Sequence, residues 1–248
     1  MFAARGGFFA QPQGTVVTYR SDAYASYLLL ALPFDYVNQF TDVTPSIKGS
    51  GSPASYTDGI NTDMDTGQVK WTSSPDYQKS VKSINTTSEQ SLTYTLPTAL
   101  PSALSGSNSY VIEGWFYANN VFNNANWALS SADSGGRWLF GINTSASITF
   151  GGENNIGIGS GAWHHVAIVL DGGVKRFYLD GIYKGAWASG NTGFSVLNLA
   201  QFNSSDANDY NGWIQDLRVY SGTNKGYTGT DSSSANFTLP SSMIESYS

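Results

Sequence analysis

Apolar and polar positions along the chain change over in short runs, and no stretch keeps a helical period bounded by caps. Tyr27–Phe34 is a continuous apolar run closed by Pro33-Phe34-Asp35, the length of a buried strand. Gly49-Ser50-Gly51-Ser52-Pro53 and Thr57-Asp58-Gly59 carry turn chemistry. Short strands are expected at Gln68–Thr72 and Ser91–Leu96, before Pro97 and Pro101 break the chain.

The clearest strand is Tyr110-Val-Ile-Glu-Gly-Trp-Phe-Tyr117, rich in β-branched and aromatic residues. Its alternation sets Val111, Glu113, Trp115 and Tyr117 on one face, with Tyr110, Ile112, Gly114 and Phe116 on the other. Further strands are expected at Trp127–Ser131, Trp138–Ile142 and Ser147–Phe150, followed by a glycine-rich connection from Gly151 to Gly161. A meander follows: Trp163–Leu170, a turn at Asp171-Gly172-Gly173, Val174–Leu179, a two-residue turn at Asp180-Gly181, then Ile182–Trp187. Asp-Gly between β-rich runs supplies the positive φ values of a tight hairpin. Phe194–Phe202 and Gly212–Tyr220 complete the set. Many short strands separated by Gly and Asn turns predict an all-β, two-sheet antiparallel sandwich.

Residues 1–23 stand apart. Phe2, Phe8 and Phe9 sit beside Arg5 and the Gly6-Gly7 pair without a period. Such a segment has no core of its own: it frays, it docks on the domain, or it buries its rings on a partner. The last reading makes Phe2, Arg5, Phe8 and Phe9 a partner-binding arm that drives assembly into a homo-oligomer or onto a shell. Residues 24–248 are the β domain.

Charge and composition narrow the partners. The chain has 18 acidic and 12 basic residues, a net charge of −6, and no basic cluster longer than Lys175-Arg176. A nucleic-acid or anionic-membrane surface needs a basic stripe, so neither is expected. No cysteine is present, which excludes disulfides, thiolate metal sites and cysteine nucleophiles. The segment Met1–Ala10 lacks the basic start and unbroken apolar run of a signal peptide, so synthesis without export is expected. His164 and His165 are strand neighbours pointing to opposite faces, so they cannot share one metal. Gly151–Gly159 lacks the Lys-Ser/Thr of a phosphate loop. Glu113, Trp115 and Tyr117 share a face and form a candidate sugar groove; the competing reading is a core in which Trp115 packs between the sheets.

Four blocks resemble the laminin-G-like, concanavalin A-like jelly roll: Tyr110–Tyr117, Trp163-His-His-Val-Ala167, Arg176-Phe-Tyr-Leu-Asp-Gly181 and Tyr210–Tyr220. Leu28–Asp35, Asp42-Val-Thr-Pro-Ser46 and Ala235-Asn-Phe-Thr-Leu-Pro240 resemble a subgroup found in tailed-phage virion proteins. The resemblance implies a jelly roll whose first strand, Tyr27–Phe34, lies beside its last, Gly212–Tyr220. It also implies a non-enzymatic virion protein, a capsid decoration or a tail- or fibre-associated component, with other virion proteins as partners and host-surface glycans as the alternative ligand. The family often places two acidic residues before the Leu-Arg of its last block; here the first is Gln215 and only Asp216 remains. Calcium is a candidate cofactor by resemblance, with Asp133, Asp206 and Asp209 in rim loops. Enzymes of this fold need two carboxyls about 5 Å apart. None of Glu89, Glu113, Glu153 and Glu245 is followed two residues later by Asp, so no catalytic residue is assigned.

Overall fold

The computed structural model describes residues 20–34, 40–48, 50–58, 63–65, 70, 80–83, 92–101, 108–118, 126–131, 137–142, 147–149, 156–157, 161–188, 193–199, 210, 212–242 and 244–247. In chain order the strands are β1 (Arg20–Asp22), β2 (Leu28–Leu32), β3 (Ser55–Asp58), β4 (Asp63–Asp65), β5 (Ser80–Ser83), β6 (Leu92–Thr95), β7 (Ser109–Ala118), β8 (Asn126–Ser131) and β9 (Arg137–Ile142). They continue with β10 (Ser147–Thr149), β11 (Ile156–Gly157), β12 (Trp163–Asp171), β13 (Val174–Leu179), β14 (Ile182–Ala188), β15 (Val196–Leu199), β16 (Gly212–Ser221) and β17 (Ile244–Tyr247).

Two antiparallel sheets form the body. One is seven-stranded, in the order β11-β10-β9-β8-β15-β6-β3; the other is eight-stranded, built on β14-β13-β12-β7-β16-β5-β4. The second edge of β16 is shared: β5 pairs with its first residues, and β2 with its last. The expected pairing of the first long strand with the last is therefore present, with Leu32 opposite Leu217 and Leu30 opposite Val219. The meander folds as its turns dictate. Asp180 has φ 52° and Gly181 φ 77°, and the two Gly of the preceding turn are also at positive φ.

Several elements depart from the sequence expectation. The connection at 151–161 contains the short β11, which pairs with β10. The turn chemistry at Thr57-Asp58 lies in β3, an edge strand. Of the strand expected at Gln68–Thr72 only Lys70 is described, and it forms a bend. A one-turn helix, α1 (Thr44–Lys48), was not anticipated. It is fixed by Asp42, whose buried carboxylate accepts hydrogen bonds from the Thr44 N–H and hydroxyl, from Ala31 N–H and from Ala54 N–H. One side chain thus holds the helix start to β2 and to the approach to β3.

The strand alternation feeds two cores. Tyr110, Ile112 and Phe116 of β7 join Leu92, Tyr94, Leu197 and Leu199 of the other sheet in the space between the sheets. Val111 points the other way, with Ala167, Val169 and Tyr220, into a second cluster on the outer face of the eight-stranded sheet. That face is covered by Ala25, Val43 and Ile47 on one side and by Tyr227 and Phe237 of a C-terminal strap, residues 222–242, on the other. The strap is fastened to the meander. Asn236 N–H donates to the Gly181 carbonyl, Asn224 donates to Asp171, and the Tyr178 hydroxyl reaches the carbonyls of Tyr227 and Gly229 at 2.9 and 2.8 Å. Its Tyr227 and Phe237 rings stack at 3.7 Å.

The chain's outermost described strands also meet. β1 runs parallel to β17, with Arg20 opposite Ile244 and Asp22 opposite Tyr247. Asp22 is buried and accepts the Tyr220 hydroxyl at 2.7 Å. The fold's contacts therefore reach into the last residues of the segment read as an arm.

Candidate functional site

The outer face of the eight-stranded sheet carries the residues with functional potential, and register arranges them in rows. Three neighbouring strands, β12, β7 and β16, align Trp163, Tyr117 and Trp213; the next row holds His165, Trp115 and Gln215. A β-bulge between Gln215 and Arg218 then shifts the register, and the row after it holds Ala167, Glu113 and Arg218.

Glu113 is 2% exposed. Its carboxylate pairs with the Lys225 ammonium of the strap at 2.5 Å, and His165 Nε2 lies 3.7 Å from its second oxygen. Lys225 sits 4.2 Å from the Tyr220 ring centre and 5.4 Å from those of Tyr24 and Tyr227, so one cation is held by a carboxylate and three aromatic rings. Burial, followed by the Glu113 charge, drives the Tyr220 hydroxyl's pKa well above its ordinary value. Trp115 is 5% exposed; it packs edge-on to His165, and the Lys70 ammonium lies 4.2 Å over its ring. Burial lowers the Lys70 pKa.

Trp115 is therefore a packed residue, but on the outer face rather than between the sheets, because the register assigns it to the face of Val111. Neither Glu113 nor Trp115 presents surface to a sugar. The two positions of the family's acidic pair are committed as well. Gln215 accepts the Lys70 N–H at 2.8 Å, while Asp216, at φ 50° in the bulge, pairs with buried Arg218 at 2.6 Å.

Tyr117, the third residue of the sequence-based groove, is only half-buried, and it lies between two tryptophans. Its ring centre is 5.7 Å from that of Trp163 and 5.4 Å from that of Trp213, both edge-to-face. Trp163 is half-buried and Trp213 is 7% exposed. Gly212, next to Trp213, lets the backbones of β16 and β7 approach here: a Cβ there would lie 2.0 Å from the Tyr117 carbonyl oxygen and 2.8 Å from the Tyr210 ring. Sequence reading placed Trp163 and Trp213 in strands but did not join them to Tyr117. The available signal was that each tryptophan opens a strand neighbouring the end of β7.

His164 and His165 do point to opposite faces. His164 Nδ1 lies 2.7 Å from Asp180 Oδ2, while His165 N–H donates to Asp180 Oδ1. Burial raises the Asp180 pKa, but these contacts outweigh it and hold the carboxyl below its ordinary value. Among the described residues no three His, Asp or Glu side chains are placed to hold a metal ion. Asp133, Asp206 and Asp209 lie outside the described residues, as do Phe2, Arg5, Phe8 and Phe9.

The row and the β1–β17 pair lie towards opposite ends of β7 and β16. Asp22 binds Tyr220, whose partner on β7 is Val111; Tyr117 is six residues further along β7, about 20 Å at the usual strand rise.

Comparison with known proteins agrees with this architecture. Domain 4 of AbnA, an extracellular GH43 arabinanase from Geobacillus stearothermophilus solved with arabinotriose, superposes with a TM-score of 0.53 at 20% identity, covering 81% of this chain and 96% of that one. The binding domain of botulinum neurotoxin serotype D superposes with a TM-score of 0.56 at 14% identity, covering 79% and 48%. A structure of type C neurotoxin, whose cell entry is described as dependent on two ganglioside molecules, gives 0.51 at 13% identity, covering 79% and 48%. The chain spans about half the length of those toxin structures, and at such identities the likeness is one of fold. No curated protein sequence matches. The Laminin_G_3 family model, the concanavalin A-like lectin/glucanases superfamily, matches residues 88–225, which hold the β7 strand, the meander and β16. With more than half of its length matched, the chain belongs to the concanavalin A-like lectin/glucanases superfamily.

Proposed function

We propose that the protein is a non-enzymatic binding module that presents Trp163 and Tyr117, the half-buried members of the aromatic row, to glycans, and that it is displayed on a phage virion through its N-terminal arm. The row carries the first part of this reading. Aromatic faces bind the C–H faces of pyranose rings, and the half-buried rings of Trp163 and Tyr117, backed by buried Trp213, give a rigid platform with little side-chain entropy left to lose. The arabinotriose-bound domain and the ganglioside-dependent toxin share the fold and lend support to a carbohydrate ligand. A non-catalytic role is supported by Glu113, whose carboxylate is buried and neutralised by Lys225 rather than poised beside a second acid.

The virion placement, as a capsid decoration or a tail- or fibre-associated component, rests on the blocks Leu28–Asp35, Asp42–Ser46 and Ala235–Pro240. The layout suits display, since the N-terminal strand and the aromatic row lie at opposite ends of the sheet. Partners at the anchored end would be capsid or tail proteins, or further copies of the chain.

A glycan array read with wild type and Trp163→Ala, with and without a calcium chelator, tests the binding function. Specific glycan signals should disappear in the variant. Unchanged signals in Trp163→Ala would remove the row from the site. Release of reducing ends from laminarin, agar or alginate by the pure protein would overturn the non-enzymatic reading. Absence of the protein from purified particles would overturn the virion placement.

A further inference from the structure

We propose that the cleft between α1, the bend at 50–52 and the bend at 97–98 is a second binding site, for a carboxylate-bearing sugar residue. The cleft has a volume of about 200 Å³, suited to one pyranose unit rather than a chain. Leu29, Pro45 and Pro97 give it apolar walls, which suit the C–H faces of a sugar ring. Ser50, Ser52 and Thr98 line it with hydroxyls that can exchange hydrogen bonds with sugar hydroxyls.

The charge in the cleft selects the ligand. Among the described residues Lys48 is the one charged residue lining it. Its ammonium donates to the Leu28 carbonyl at 3.3 Å, a long contact that uses one of three N–H groups. The nearby carboxylate, Asp42, is buried and turned to the Thr44, Ala31 and Ala54 donors, so it does not neutralise the cleft. A cation in a cleft whose described lining holds no acid, on a chain of net charge −6, is a local place for an anion. A neutral sugar would leave that ammonium without a counter-charge; a uronate carboxylate would accept from it in a charge-assisted bond. The floor is preformed, because Ile47 is fully buried and Asp42 fixes the helix start.

The cleft is separate from the aromatic row. Leu28, in its wall, lies opposite Tyr220, at the other end of β16 from Trp213.

The test is an NMR titration of the full chain with galacturonate, galactose and acetate. Galacturonate should shift amides within Thr44–Ser52 and at Thr98. Galactose and acetate should each bind at least about tenfold more weakly, the loss expected when one charge-assisted hydrogen bond or the ring contacts are missing. Lys48→Met should erase the preference for galacturonate, and Trp163→Ala should leave it intact. Thr98→Val, at an exposed position, gives a second variant that should weaken binding if Lys48→Met does not fold. Equal binding of galactose and galacturonate, acetate binding as tightly as galacturonate, shifts mapping to Tyr117, Trp163 and Trp213, or no shift at all would each overturn the proposal.

Discussion

The Glu113–Lys225 pair holds its two charges out of water, and each depends on the other. Lys225→Met would leave the Glu113 carboxylate buried without its cation, a change expected to cost about 3–5 kcal/mol. The double variant Glu113→Gln with Lys225→Met removes both charges and should recover a large part of that loss. Urea unfolding of wild type, the single variant and the double variant measures both effects; an additive double variant would show that the two charges are not coupled. Four buried tyrosines add an alkaline limit. Burial pushes the Tyr178 hydroxyl up to about 12 and raises Tyr110, Tyr210 and Tyr220 as well. In the unfolded chain these groups ionise near their ordinary value of 10.0. Their contribution is therefore complete below about pH 10 and is lost as pH rises towards 12. Tyrosinate absorbance should appear together with the loss of β circular dichroism, rather than before it.

The meander and its strap act as one element. Gly181 has φ 77°, and a Cβ there would lie 3.0 Å from the Phe237 carbonyl oxygen and 3.3 Å from the Ala235 side chain. Gly181→Ala should cost about 1–2 kcal/mol from the backbone conformation alone, with displacement of the strap added. Hydrogen exchange at Asn236, whose N–H donates to Gly181, reports the displacement directly. In the same turn the Asp180 carboxyl is held below its ordinary value, so its stabilisation is present above about pH 4 and fades as pH falls through the folded value. Asp180→Asn should flatten the acid limb of a stability–pH profile without moving the alkaline limb. These turns were legible because Asp-Gly has a local cause. The second core was not. β7 reads as buried on both faces, and nothing within Tyr110–Tyr117 says that Val111 and Glu113 are covered by a segment more than a hundred residues later. Only long-range pairing joins Lys225 to Glu113. The aromatic row is half-legible for the same reason: alternation puts Tyr117 on the outer face of β7, but its neighbours come from register, and a bulge at Gln215–Arg218 displaces the register that simple alternation would give.

At the scale of the whole molecule the chain is a sandwich with the aromatic row and the β1–β17 pair at opposite ends. Removing residues 1–19 should leave the sandwich folded and its glycan binding intact, while assembly or particle binding is lost. Extending the deletion through Asp22 should also lower stability, because Asp22 accepts the buried Tyr220 hydroxyl. Light scattering and thermal unfolding of the two truncations separate the effects. If the shorter deletion assembles like wild type, the arm is not the anchor. The pairing of β1 with β17 has a mechanical consequence. The two strands run parallel, so tension drawing the chain's ends apart pulls them past each other along their length. Such a load falls on the backbone bonds of the ladder together rather than opening them one at a time, and Asp22 on Tyr220 ties the same strand to the core. A module loaded through its two ends would therefore resist drag best in the direction in which its chain is pulled.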